Sequence, residues 1–112
     1  MAQVRPGQPP AAAEYWLQDE NGIYPLKAGE NTLGRLPEND LVLQGPCVSR
    51  QHCTIVVVAG ADCELRDSGS TNGTYVNGLK VSGATKLLSG DVIWICDRRL
   101  MFLPKGGSGQ LA

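Results

Sequence analysis

Four short fragments hold the side chains best suited to chemistry: Gly34-Arg35, Ser49-Arg50-Gln51-His52, Ser70-Thr71-Asn72-Gly73 and Val76-Asn77-Gly78. A guanidinium is a rigid fork whose geometry matches two phosphate oxygens, so Arg35 is a candidate anion ligand. Gly34 removes a side chain where a ligand or a loop approaches. The Ser49 hydroxyl can donate to the same anion, and Arg50 beside it supplies a second cation. An asparagine amide both donates and accepts, which lets Asn72 hold a peptide main chain from the side. Each fragment alone also has an ordinary reading: a solvated strand-end arginine, a turn serine, an Asn-Gly turn.

Ser49, His52 and an aspartate (Asp67 or Asp91) could also be read as a hydrolase triad. No G-x-S-x-G elbow accompanies the serine and no oxyanion motif is evident. A serine and a histidine three apart entering a strand would tend to point to opposite faces. The lone His52 is therefore read as a hydrogen-bonded structural residue at a strand start. Cys47, Cys53, Cys63 and Cys96 form no C-x-x-C pair and have one histidine to join them, so no metal site is expected. They read as reduced, structural cysteines of a cytosolic protein, with Cys53 and Cys63 acting as small buried hydrophobes.

The segments that must position these groups read as short strands. Tyr15-Trp16-Leu17-Gln18 and Ile23-Tyr24-Pro25-Leu26 flank Asn21-Gly22, a hairpin-turn dipeptide. Asn31–Arg35 and Leu41–Leu43 follow, separated by Pro37 and Asn39. Cys53–Val58 is rich in β-branched residues, and Cys63–Arg66 alternates. Thr74–Val76 lies between two more Asn-Gly pairs. Val92–Ile95 and Leu100–Leu103 are joined across Asp97-Arg98-Arg99. No 3.6-residue apolar period persists, so an all-β sandwich with no substantial helix is expected.

With 112 residues, 42% of them apolar and 19% charged, the chain suits one small folded domain. A net charge of −1 argues against bulk nucleic-acid binding but not against one phosphate held by a few placed donors. No apolar run approaches the ~20 residues that span a bilayer. Residues 1–13 and 105–112 read as a flexible leader and tail around a domain over 14–104.

In order and spacing the four fragments resemble the forkhead-associated (FHA) domain family, over about Tyr15 to Pro104. Two further segments fit: Asp67 ahead of the Ser-Thr-Asn-Gly turn, and Leu88-Ser89-Gly90-Asp91-Val92 ahead of the last hairpin. The resemblance implies a β-sandwich of two antiparallel or mixed sheets, about eleven short strands, with Gly-rich binding loops at one end. It also implies phosphothreonine-dependent binding of partner proteins in signalling, dependent on a Ser/Thr kinase, with no catalysis, no cofactor, no nucleic acid and no membrane. An isolated domain of this kind is expected to be monomeric and cytoplasmic.

By the same resemblance Arg35 and Ser49 hold the phosphate, assisted by Arg50 and Thr71, and Asn72 holds the peptide main chain. Gly34, His52, Gly73 and Asn77 support the loops, Asn77 mainly as a turn residue with a contact to peptide as a second role. Cys47 stands where some family members carry a basic residue that selects the third residue after the phosphothreonine, so that preference stays open. The alternative is a degenerate FHA scaffold that binds through a phosphate-independent surface.

Overall fold

The computed structural model describes residues 15–58 and 62–104. The expected leader and tail lie outside the described residues. Eleven strands follow one another: β1 (Tyr15–Asp19), β2 (Gly22–Leu26), β3 (Gly29–Gly34), β4 (Leu41–Val42), β5 (Cys53–Val57), β6 (Cys63–Asp67), β7 (Thr74–Val76), β8 (Leu79–Lys80), β9 (Ala84–Leu87), β10 (Val92–Ile95) and β11 (Arg98–Pro104). They form a six-stranded sheet, β2-β1-β11-β10-β7-β8, and a five-stranded sheet, β4-β3-β5-β6-β9. The second is mixed, because β4 runs parallel to β3 while the other pairs are antiparallel. No helix is long and apolar enough to cross a membrane among the described residues.

Alternation decides which side chains meet between the sheets. Leu17, Leu100, Phe102, Ile93, Ile95 and Val76 point inward from the six-stranded sheet, and Leu33, Cys53, Ile55, Val57, Cys63, Leu65 and Leu87 from the other. Four polar residues join this buried set: Asn31, Asn39, His52 and Thr74. Asn31 is satisfied by Lys27 and Ile55 main-chain groups. The other three lie under the loops described next.

Two hairpins depart from the sequence reading. Asp19 pairs with Gly22, so the first turn is Glu20-Asn21 rather than Asn21-Gly22. The Asp19 carboxylate accepts the Asn21 and Gly22 N–H groups and thereby sets this register. At the last hairpin Ile95 pairs with Arg98, so the turn is Cys96-Asp97 and β11 begins at Arg98. Arg98 reaches back to Asp19 at 2.9 Å in an ion pair with little exposure. Asn77-Gly78 behaves as expected, with φ of 52° and 87° between β7 and β8. Strands β8 and β9 lay outside the sequence reading altogether.

Candidate functional site

Gly34 ends β3 because nothing larger fits: a Cβ there would stand 2.2 Å from the Arg50 carbonyl oxygen and 2.8 Å from Asn39 Nδ2. The approach that the glycine permits is that of the β4–β5 loop. Arg35 follows immediately, its main-chain N–H donating to Ser49 O at 3.0 Å and its Nε to Val48 O at 3.1 Å. The guanidinium is thus oriented by one nitrogen, and its two Nη groups have no protein partner among the described residues. Asn39, buried, donates through Nδ2 to Leu36 O and Arg50 O and ties the β3–β4 loop to the β4–β5 loop. The sequence reading did not single it out.

His52 is fully buried and joins three segments. Its Nδ1 accepts the Ser49 N–H at 3.0 Å, which places the ring proton on Nε2, facing Gly73 O at 2.9 Å. Its main chain donates to Leu33 O and accepts from Ser68 N. The opposing β6–β7 loop is folded around Asp67. That carboxylate accepts from Gly69 N, Ser70 N, Ser70 Oγ and Thr74 Oγ1, at 2.6 to 2.8 Å. Burial pushes the Asp67 carboxyl up, but these bonds outweigh it and bring the pKa down to about 2. Gly73, at φ 85°, turns the chain into β7.

The two loops then meet directly. Thr71 N–H donates to Ser49 Oγ at 3.0 Å, and Asn72 Nδ2 donates to Cys47 O at 3.0 Å. Because Ser49 Oγ accepts here, its own proton remains to be donated outward. Arg35, Ser49, Arg50, Thr71 and Asn72 all line one cleft of about 630 Å³, closed on its other sides by Leu36, Pro46, Cys47 and Ser68 among others. Two arginines and no carboxylate line it, on a chain whose net charge is −1. Asn77 is placed elsewhere: its amide donates to Asp91 and accepts from Val92 N, pinning the start of β10 outside the cleft lining.

The cysteines require a correction. Cys53 and Cys63 are buried and take no part in a disulfide, as expected, with burial pushing the Cys53 thiol up to about 12. Cys47 and Cys96, read as reduced, are joined in a disulfide with Cα atoms 5.6 Å apart. Forty-nine positions separate them, so only the sandwich brings the β10–β11 turn beside the β4–β5 loop. Asp97 converges with the same two sulfurs within 4.8 Å, but sulfurs joined to each other offer no thiolate to a metal.

The FHA domain profile matches residues 31–96, more than half of the chain. The chain belongs to the FHA family. The transcriptional regulatory protein EmbR of Mycobacterium tuberculosis is 38% identical over 85 residues, covering 76% of this chain and 22% of EmbR. An EmbR structure in complex with a low-affinity phosphopeptide superposes with a TM-score of 0.75 at 37% identity, over 80% of this chain and 24% of that one. A structure from work on phosphothreonine-dependent FHA domain interactions gives 0.74 at 34% identity, over 80% and 94%. The oxoglutarate dehydrogenase inhibitor of Corynebacterium glutamicum is 43% identical over 72 residues, 64% of this chain and 49% of the inhibitor. The FHA chain thus spans about a fifth of EmbR and half of the inhibitor.

Proposed function

We propose that this FHA domain is a phosphothreonine-dependent peptide-binding module that recruits phosphorylated partners. The observation that carries the reading is the cleft with two arginines, a serine hydroxyl and an asparagine amide on its walls and no acidic group among them. Arg35 Nη groups and Ser49 Oγ hold the phosphate, with Arg50 and Thr71 assisting, and Asn72 holds the peptide main chain. Gly34, His52 and Gly73 keep the loops in place beneath them. The phosphopeptide complex of EmbR, and the structure from work on phosphothreonine-dependent FHA domain interactions, support the ligand class. In this reading a Ser/Thr kinase working on the partner makes the ligand, and the module acts in the cytoplasm.

The chain adds no chemistry of its own in this reading. Both imidazole nitrogens of His52 are committed, one to the Ser49 main chain and one to Gly73 O, so neither serves as a base for Ser49 Oγ. The alternative of a phosphate-independent scaffold draws support from the outer face of the six-stranded sheet, where Ile23 is 48% and Trp94 37% exposed.

Fluorescence anisotropy with degenerate phosphothreonine, phosphoserine and unphosphorylated peptide pools separates the two, using the unaltered chain and Arg35→Ala. The expected result is phosphothreonine-dependent binding that falls by at least about tenfold in Arg35→Ala, the loss of charge-assisted bonds worth about 1.5–3 kcal/mol each. Equal binding of the three pools, or none of them by the folded chain, would transfer the function to the outer sheet face.

A further inference from the structure

We propose that Cys47 and Cys96 form a reversible thiol–disulfide site that sets the affinity of the peptide cleft. The inference rests on the phosphothreonine-binding reading above for its consequence, though not for its chemistry.

Cys47 is a wall residue of the cleft, and its carbonyl oxygen is the acceptor that holds the Asn72 amide. The segment that carries it, Gln44-Gly45-Pro46-Cys47, is thinly held. Val48 N–H donates to Gly45 O, Asn72 reaches Cys47 O, and Arg98 reaches Gln44 O at a long 3.4 Å. The rest of the loop is fixed differently, through Leu43 N to Gly34 O, Arg35 N to Ser49 O and His52 N to Leu33 O. The cross-link therefore acts where the loop has least other support, tying it to the two-residue turn of the β10–β11 hairpin. Opening it frees the part of the loop that positions Asn72 while leaving Arg35 and Ser49 in their bonds.

Cys96 itself marks the turn as unusual. Its φ is 62°, in the left-handed region where a side chain other than Asn, Asp or Gly is uncommon. Asparagine or glycine would serve the turn better; cysteine there serves the bond to Cys47. Both sulfurs belong to half-buried residues within reach of a small thiol, unlike Cys53 and Cys63, which are buried. In the cytoplasmic setting proposed above, disulfides are usually transient and redox-responsive rather than permanent staples.

The co-reactant is a low-molecular-weight disulfide. One cysteine thiolate attacks it, releasing one small thiolate and leaving a mixed disulfide. The second cysteine thiolate then attacks the protein-bound sulfur and releases the other small thiolate. The protein loses two electrons and two protons, and the small disulfide becomes two thiols. Reduction runs the same steps backwards.

The test uses the full chain equilibrated with oxidised or reduced glutathione, with peptide mapping of the cross-link. Amide hydrogen exchange over residues 44–49 and anisotropy with the phosphothreonine peptide pool are then measured in both states. The expected outcome is a Cys47–Cys96 peptide under oxidised glutathione, faster exchange at 44–49 when reduced, and roughly tenfold weaker peptide binding, since ordering about one residue of backbone is worth about that factor. Cys96→Ser, which lies outside the cleft lining, should bind like the reduced chain in either glutathione state. Affinities within twofold between the states, or two free thiols at 47 and 96 under oxidised glutathione, would overturn the proposal. Absence of peptide binding in both states would count against phosphothreonine recognition and against affinity control together. A redox effect on exchange alone would then assign the site to loop order only.

Discussion

Asp67 offers the sharpest test of how the binding loops are held. Its folded-state pKa of about 2 lies below the ~3.9 of an aspartate in an unfolded chain. The ionised form therefore stabilises the fold fully above about pH 4, and that contribution is lost as pH falls through 2. A difference of nearly two units corresponds to about 2–3 kcal/mol, and partial solvent access to Asp67 brings this toward the lower end. About half should be gone by pH 3. Asp67→Asn keeps the shape, but its NH₂ group must donate to the Ser70 and Thr74 hydroxyls that now donate to the carboxylate, and all four bonds lose their charge assistance.

Urea unfolding of the unaltered chain and of Asp67→Asn, followed from pH 7 to pH 2, isolates this group, because Asp19 and Asp40, whose carboxyls are also lowered, are shared by both. The expected stability gap is about 2 kcal/mol at neutral pH and closes to below about 1 kcal/mol near pH 2, where the protonated aspartate resembles the amide. A gap that stays constant over the whole range would refute the reasoning, since it would mean that the ionisation of Asp67 contributes nothing. A gap under about 0.5 kcal/mol at pH 7 would refute it as well.

Gly34→Ala should lower stability by about 1–3 kcal/mol, because the new Cβ meets a carbonyl oxygen of the main chain. It should also weaken phosphopeptide binding by separating Arg35 from Ser49. Urea midpoints and anisotropy measure the two effects, and an unchanged midpoint would contradict the 2.2 Å contact. Peptide affinity should fall as the pH drops below about 6, where the phosphate loses its second charge. Equal affinity at pH 5 and pH 7.5, with far-UV circular dichroism showing the fold intact, would argue against recognition of the dianion.

The residues that line the cleft were singled out by the joint order and spacing of four fragments, each of which alone reads as an ordinary strand end or turn. Ser70-Thr71-Asn72-Gly73 contains its own turn residue at Gly73, and Ser49-x-x-His52 places the brace three residues from the serine it supports. Strands β5 and β6 were legible from alternation and β-branched content. Strands β8 and β9 were not: Leu79-Lys80 is two residues long and exposed, and Ala84–Leu87 buries one side chain at a sheet edge. What escaped the sequence most completely is non-local. The pairing of Cys47 with Cys96 and the grip of Asn39 on the Arg50 carbonyl both depend on which loops the sandwich sets side by side.

The bonding within the cleft divides in a way that bears on mechanism. His52, Asp67 and Asn39 bond inside the protein, His52 and Asn39 each across two loops and Asp67 within the β6–β7 loop and the start of β7. Arg35, Ser49 and Asn72 each spend one group on the neighbouring loop and keep another for the cleft. Each of these three side-chain bonds is therefore also a bond between loops. Loop geometry and ligand geometry cannot be altered separately at these positions. Weakening a brace should lower affinity by misplacing donors that remain chemically intact, whereas removing Arg35 deletes the donors themselves. The two kinds of variant differ in salt response: a brace variant keeps the screened attraction of the guanidinium for phosphate, and Arg35→Ala loses most of it.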